Sequence, residues 1–127
     1  MSLEIMILDD ETIVGERLKA SLEKDGHRLE AFTEPLRAME RLRAHDFDIV
    51  VTDIRMDNVS GIEILELVKR KSPGTKVIMI TGYATLEVAR ESLTKGAFDF
   101  IAKPFKIGEI RKTIEKAHDA LKAQQKG

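Results

Sequence analysis

The sequence predicts an α/β domain of five βα units on a parallel sheet, and three observations carry the prediction. Short apolar runs alternate with longer helical patterns from one end of the chain to the other. Four of the runs are continuous or nearly so, as strands covered on both faces require. Between them apolar residues recur at spacings of three and four, the period of a single helix face.

In chain order, the first strand is read from Leu3 to Leu8, followed by a helix with Val14, Leu18 and Leu22 on one stripe. The second, His27 to Phe32, alternates more than the others. Thr33-Glu34-Pro35 then opens a helix striped by Leu36, Met39 and Leu42. The third strand, Phe47 to Thr52, leads to a helix with Ile62, Leu65 and Val68, closed by Ser72-Pro73-Gly74. The fourth, Lys76 to Thr81, precedes a helix that stops at Gly96. After the fifth, Ala97 to Ala102, Ile107, Ile110, Ile114, Ala117 and Leu121 keep one helix face for about four turns. The polar Gln124-Gln125-Lys126-Gly127 reads as a frayed end or the start of a linker, so residues 1–121 are expected to form one domain and 122–127 a tail.

Composition narrows the function. The chain has 127 residues, 43% hydrophobic and 34% charged, with a net charge of −1, so no global positive field favours nucleic acid. Absence of cysteine excludes disulfides, thiolate metal sites and a thiol nucleophile, and fits a cytoplasmic location. His27, His45 and His118 form no ligand-spaced pair and read as surface or rim residues. No apolar run approaches the roughly 20 residues of a membrane helix.

In an open parallel sheet the ligand site lies at the carboxyl ends of the strands. There the sequence places Asp9-Asp10-Glu11, Asp53, Thr81-Gly82 and Lys103-Pro104. Each alone is ordinary, as a helix cap, a turn or a loop with a solvated lysine; their joint placement points to a site. Clustered carboxylates repel unless a cation sits among them, and Mg²⁺, which takes oxygen ligands and retains waters for phosphate, suits the cluster. One carboxylate can then attack a phosphoryl group. Asp53, alone at its strand end, is the choice for the nucleophile, with the Lys103 ammonium and the Thr81 hydroxyl to neutralise phosphoryl oxygens.

Four segments carry a family resemblance: Ile7-Leu8-Asp9-Asp10-Glu11, Asp48 through Met56, Val77 through Tyr83, and Gly96 through Phe105. In this order and spacing they resemble the receiver domains of two-component response regulators, and most closely those of nitrogen-regulation-type transcriptional activators. The resemblance implies a doubly wound, flavodoxin-like fold with strand order 2-1-3-4-5. It implies a phosphoacceptor switch, not a turnover enzyme, in which a sensor histidine kinase phosphorylates Asp53. Asp10 and Asp53 would ligate Mg²⁺, Arg55 would offer its backbone carbonyl, and Asp9 would act through water. Lys103 would pair with the phosphoryl group beside a cis Lys103-Pro104 bond. Thr81 and Phe100 would form the switch, altering the face of the fourth helix, fifth strand and fifth helix around Leu86, Val88 and Phe100. That face would meet an output domain, a partner or a second copy in a phosphorylation-dependent dimer, with transcription as the output.

Two positions depart from the family pattern. Asp57 replaces the usual proline after Met56, adding negative charge and removing a stiffening ring, and Ser60 precedes Gly61 where aspartate is frequent. Arg55 and Tyr83, each two residues past a site residue, are expected to shield an acyl phosphate from water. Alternatives are weaker. A haloacid-dehalogenase-like phosphohydrolase needs a second aspartate where Arg55 stands, and a flavin or nucleotide loop does not suit three consecutive acids. A phosphorylation-independent interaction module on the same fold is the remaining alternative.

Overall fold

Alternation along the strands decides how the chain is layered. The structure, a computed structural model, describes residues 2–56 and 58–126, so Asp57 lies outside the described residues. It contains β1 (Glu4–Leu8), α1 (Thr12–Lys24), β2 (Arg28–Phe32), α2 (Pro35–Ala44), β3 (Ile49–Asp53), α3 (Gly61–Lys71), β4 (Lys76–Thr81), α4 (Leu86–Thr94), β5 (Asp99–Ala102) and α5 (Ile107–Lys126). All strand pairs are parallel, in the order β2-β1-β3-β4-β5. This is the predicted fold class and strand order.

Met6 and Leu8 of β1 face the same way as Val50 of β3 and Val77 and Met79 of β4, and pack under α2 and α3 through Ala38, Leu42, Ile62, Ile64, Leu65 and Val68. Val88 of α4 is half-buried against the same layer. Ile5, Ile7, Ile49, Val51, Ile78 and Ile80 point to the other face, under Leu18 and Leu22 of α1 and Ile110, Ile114 and Ala117 of α5. Burying each such side chain stabilises the fold by about 1.5–3 kcal/mol, so the two layers together fix the pleat register. β2 and β5, at the edges, are only partly buried.

The structure corrects several sequence readings. Phe47 and Ala97 are buried but outside the strands: the Phe47 carbonyl accepts from the Thr75 hydroxyl (2.5 Å), and Ala97 N–H donates to Ser92 O (2.9 Å), closing the turn after α4. Leu36 stands 61% exposed while Ala38 takes the core-facing position on α2. Helix α5 continues through Gln124 and Gln125 to Lys126 instead of fraying near Leu121. Alanine, glutamine and lysine all favour helix, which sustains the last turn without an apolar face.

The helix starts follow their caps. Pro35 occupies the first turn of α2, and the Thr85 hydroxyl accepts from Val88 N–H (3.2 Å). At α3 the Ser60 hydroxyl accepts from Ile62 N–H (3.0 Å) while Ser60 N–H donates to Glu63 Oε2 (2.9 Å), a reciprocal capping box. Ser60 therefore anchors this helix start itself.

The histidines are rim residues, as expected, but two of them meet. His27 and His118 lie edge to face with centroids 6.0 Å apart, and Leu3 N–H donates to His27 Nδ1 (3.1 Å). Burial, assisted by His118, pushes the His27 pKa below its ordinary value of 6.5, with Asp25 opposing. The unfolded chain therefore takes up this proton before the folded one as pH falls. The His27 contribution is complete above pH 6.5 and declines as pH drops through that value toward the lower folded pKa. Denaturant unfolding should show stability falling more steeply below about pH 6.5 in the wild type than in His27→Gln, whose amide accepts the Leu3 hydrogen bond without titrating.

Candidate functional site

The site is assembled from loops at the carboxyl edge of the sheet. Asp9 follows β1, with its N–H donating to Phe32 O (3.1 Å) and its Oδ1 accepting from Glu11 N–H (2.8 Å). Asp53 is the last residue of β3 and is 5% exposed. The chain beyond it is tied back by Ile54 N–H to Ile80 O (3.1 Å) and Gly61 N–H to Ile54 O (2.8 Å). The second contact needs glycine: a Cβ on Gly61 would lie 2.2 Å from Asp53 O. Lys103 follows β5, its N–H donating to Thr81 O (2.8 Å), and the Lys103-Pro104 bond is cis.

The side chains converge as the sequence predicts. Lys103 Nζ donates to Asp53 Oδ2 and to Glu11 Oε1, both at 2.9 Å, and lies 2.8 Å from Asp9 Oδ2. Burial alone would lower the Lys103 pKa; Asp9, Glu11 and Asp53 reverse this and raise it well above the usual lysine range, so the ammonium stays charged. Burial raises the Asp9 pKa, opposed by Lys103 and the Glu11 N–H and reinforced by the charge on Asp53.

Asp9, Asp10 and Asp53 bring one carboxylate oxygen each to within 4.8 Å of the others, a spacing that fits a shared metal ion. Asp9 Oδ2 is buried and, apart from its close approach to Lys103, has no hydrogen-bonding partner among the described residues. An oxygen in that condition still has electron pairs to offer a cation or its water. Asp10 is exposed, whereas Asp9 and Asp53 are buried.

Thr81 ends β4 fully buried, its hydroxyl accepting from Tyr83 N–H (3.0 Å). Arg55 N–H donates to Asp53 Oδ1 (3.3 Å), and its guanidinium carbon lies 3.7 Å from the Tyr83 ring centroid. The stack joins the loops after β3 and β4, each backbone anchored on a site side chain. Phe100, opposite Met79, is half-buried against the layer under α2 and α3, away from the carboxylates.

Two features of the site carry little signal in the sequence. Glu11 stood only as the third acid of a run, yet its side chain reaches Lys103. The Arg55–Tyr83 stack depends on how two loops approach, for which the only sequence signal was their matching offset from Asp53 and Thr81.

Comparison with known proteins agrees with this geometry. Residues 5–115 match the response regulator receiver domain family. The transcriptional regulatory protein ZraR of Klebsiella oxytoca is 33% identical over 115 residues, which cover 91% of this chain and 26% of ZraR. The chain thus spans about a quarter of the length of that relative. A CheY-like receiver domain crystal structure from Methanospirillum hungatei JF-1 superposes with a TM-score of 0.93 at 30% identity, covering 98% of this chain and 99% of that one. The NtrC4 receiver domain, solved in solution as a beryllofluoride-activated dimer, gives a TM-score of 0.87 at 28% identity and covers 93% and 98%. On the family match, the shared fold and these relatives, the chain belongs to the response regulator receiver domains.

Proposed function

We propose that this chain, in a cytoplasmic two-component system, is a phosphoacceptor switch that takes a phosphoryl group onto Asp53 from the phosphohistidine of a sensor kinase. The observation that carries the reading is the meeting of a buried carboxylate, two further aspartates and one ammonium at a single strand edge. An Asp53 carboxylate oxygen attacks phosphorus, the P–N bond of the donor breaks, and its electron pair returns to the imidazole ring. Asp9, Asp10, Asp53 and the Arg55 carbonyl are the residues assigned to Mg²⁺, which when bound offsets charge on the phosphoryl oxygens. Lys103 supplies the other positive charge, and Thr81 turns its hydroxyl toward the new phosphoryl group, releasing Tyr83 N–H. A cleft of about 740 Å³ beside Lys103, lined by Ile13, Val14, Arg17, Phe105 and Ile107, leaves room for the donor's protein.

Output follows from differential stabilisation of an active conformer. Shifting a population from about 1:99 to 99:1 takes about 5.5 kcal/mol, more than a few rearranged hydrogen bonds supply. Dimerisation or an output domain completes the shift, through a face formed by α4, β5 and α5. Leu86 and Leu93 of α4 are 67% and 51% exposed, and Val88 and Phe100 are half-buried against the core layer. Residues 1–121 form the switch, and transcription is the proposed output.

Acetyl phosphate with Mg²⁺ should add one phosphoryl group to the wild type, read by intact mass. No addition is expected without Mg²⁺ or in Asp53→Asn. Failure of the wild type to gain mass while it binds Mg²⁺ would leave a phosphorylation-independent module. The Arg55–Tyr83 stack covers the approach of water, so Arg55→Ala/Tyr83→Ala should lose its phosphoryl group severalfold faster. Equal decay would remove the shielding role.

A further inference from the structure

We propose that Glu11 is a positioning residue, a replaceable third partner that holds Lys103 in the resting site and releases it to an incoming phosphoryl oxygen. The inference rests on the phosphoacceptor reading and adds to it the step by which the ammonium becomes free.

Three carboxylates crowd the Lys103 ammonium at 2.8–2.9 Å. A phosphoryl group on Asp53 requires a place on that ammonium, so one present partner must withdraw. The three differ in what withdrawal costs. The side chain of Asp9 is 0% exposed and that of Asp53 is 7% exposed, so neither can exchange Lys103 for bulk water. That of Glu11 is 60% exposed, and water takes over its carboxylate at little cost.

The placement of Glu11 supports the assignment. It is the N-cap residue of α1, where a side chain commonly accepts from the helix's first N–H groups, yet it makes no such bond. Its carboxylate instead crosses to Lys103, a residue 92 positions away, while its own N–H fixes Asp9 Oδ1. The backbone of Glu11 thus holds one carboxylate of the site and its side chain holds the cation. With the long lysine arm tethered at both Asp53 and Glu11, only the Glu11 contact has to open when a phosphoryl group arrives.

The test is an NMR titration with beryllofluoride, a phosphoryl mimic, at saturating Mg²⁺, comparing wild type, Glu11→Gln and Glu11→Asp. Glu11→Gln removes the competing charge. Glu11→Asp keeps the charge but is one methylene too short for a 2.9 Å contact. The proposal expects both variants to bind beryllofluoride about two- to fivefold more tightly than the wild type, a difference that shrinks as salt screens the exposed pair. Tightening in Glu11→Gln alone would indicate a general field of negative charge and overturn the proposal. Unchanged or weaker binding in both would overturn it too, as would a gain insensitive to salt. If the wild type and both variants all fail to bind, the phosphoacceptor reading itself fails instead.

Discussion

One ammonium among several carboxylates is the constraint around which this domain is arranged. Asp9 and Asp53 are buried at neighbouring strand ends, where like charges repel and neither has enough water to relieve it. Lys103 reaches both from across the sheet, and the carboxylates around it raise its pKa against the effect of burial. The same repulsion favours a cation at that edge, and the proposed phosphoacceptor role rests on it.

The rest of the fold serves this placement. The parallel order puts β1, β3 and β4 side by side, so the residues just beyond them share one edge, and two apolar layers prevent any strand from slipping register. A slip of one residue would turn Asp53 away from Lys103. Gly61 lets the start of α3 close on the Asp53 carbonyl, and the cap at Ser60 holds that turn in place. The groups proposed to move or to shield the site are fastened more lightly. Thr81 has one hydrogen bond from Tyr83, Arg55 stacks on an exposed ring, and Glu11 holds Lys103 from the solvent side.

Much of this was legible in the sequence because it depends on period and order. Apolar runs such as Val77-Ile78-Met79-Ile80 named the buried strands, and chemistry-bearing residues at the run ends named the edge. What remained hidden depends on distances between segments. Leu36 fitted its helix stripe as well as Ala38 did, and only the seating of α2 decides which faces the sheet. The last polar turn of α5 has no apolar period to read. Glu11 is 92 residues from Lys103, and no local pattern distinguishes a glutamate that reaches a site from one that faces water.

If Lys103 electrostatically holds the acidic edge together, thermal unfolding of Lys103→Met beside the wild type, each with and without Mg²⁺, will register its loss. Without Mg²⁺ the variant should be less stable by on the order of 3 kcal/mol, because buried carboxylates lose their cation. Mg²⁺ should raise its melting temperature more than that of the wild type. A Lys103→Met protein as stable as the wild type without Mg²⁺, and no more responsive to the ion, would show that the ammonium does not hold the edge.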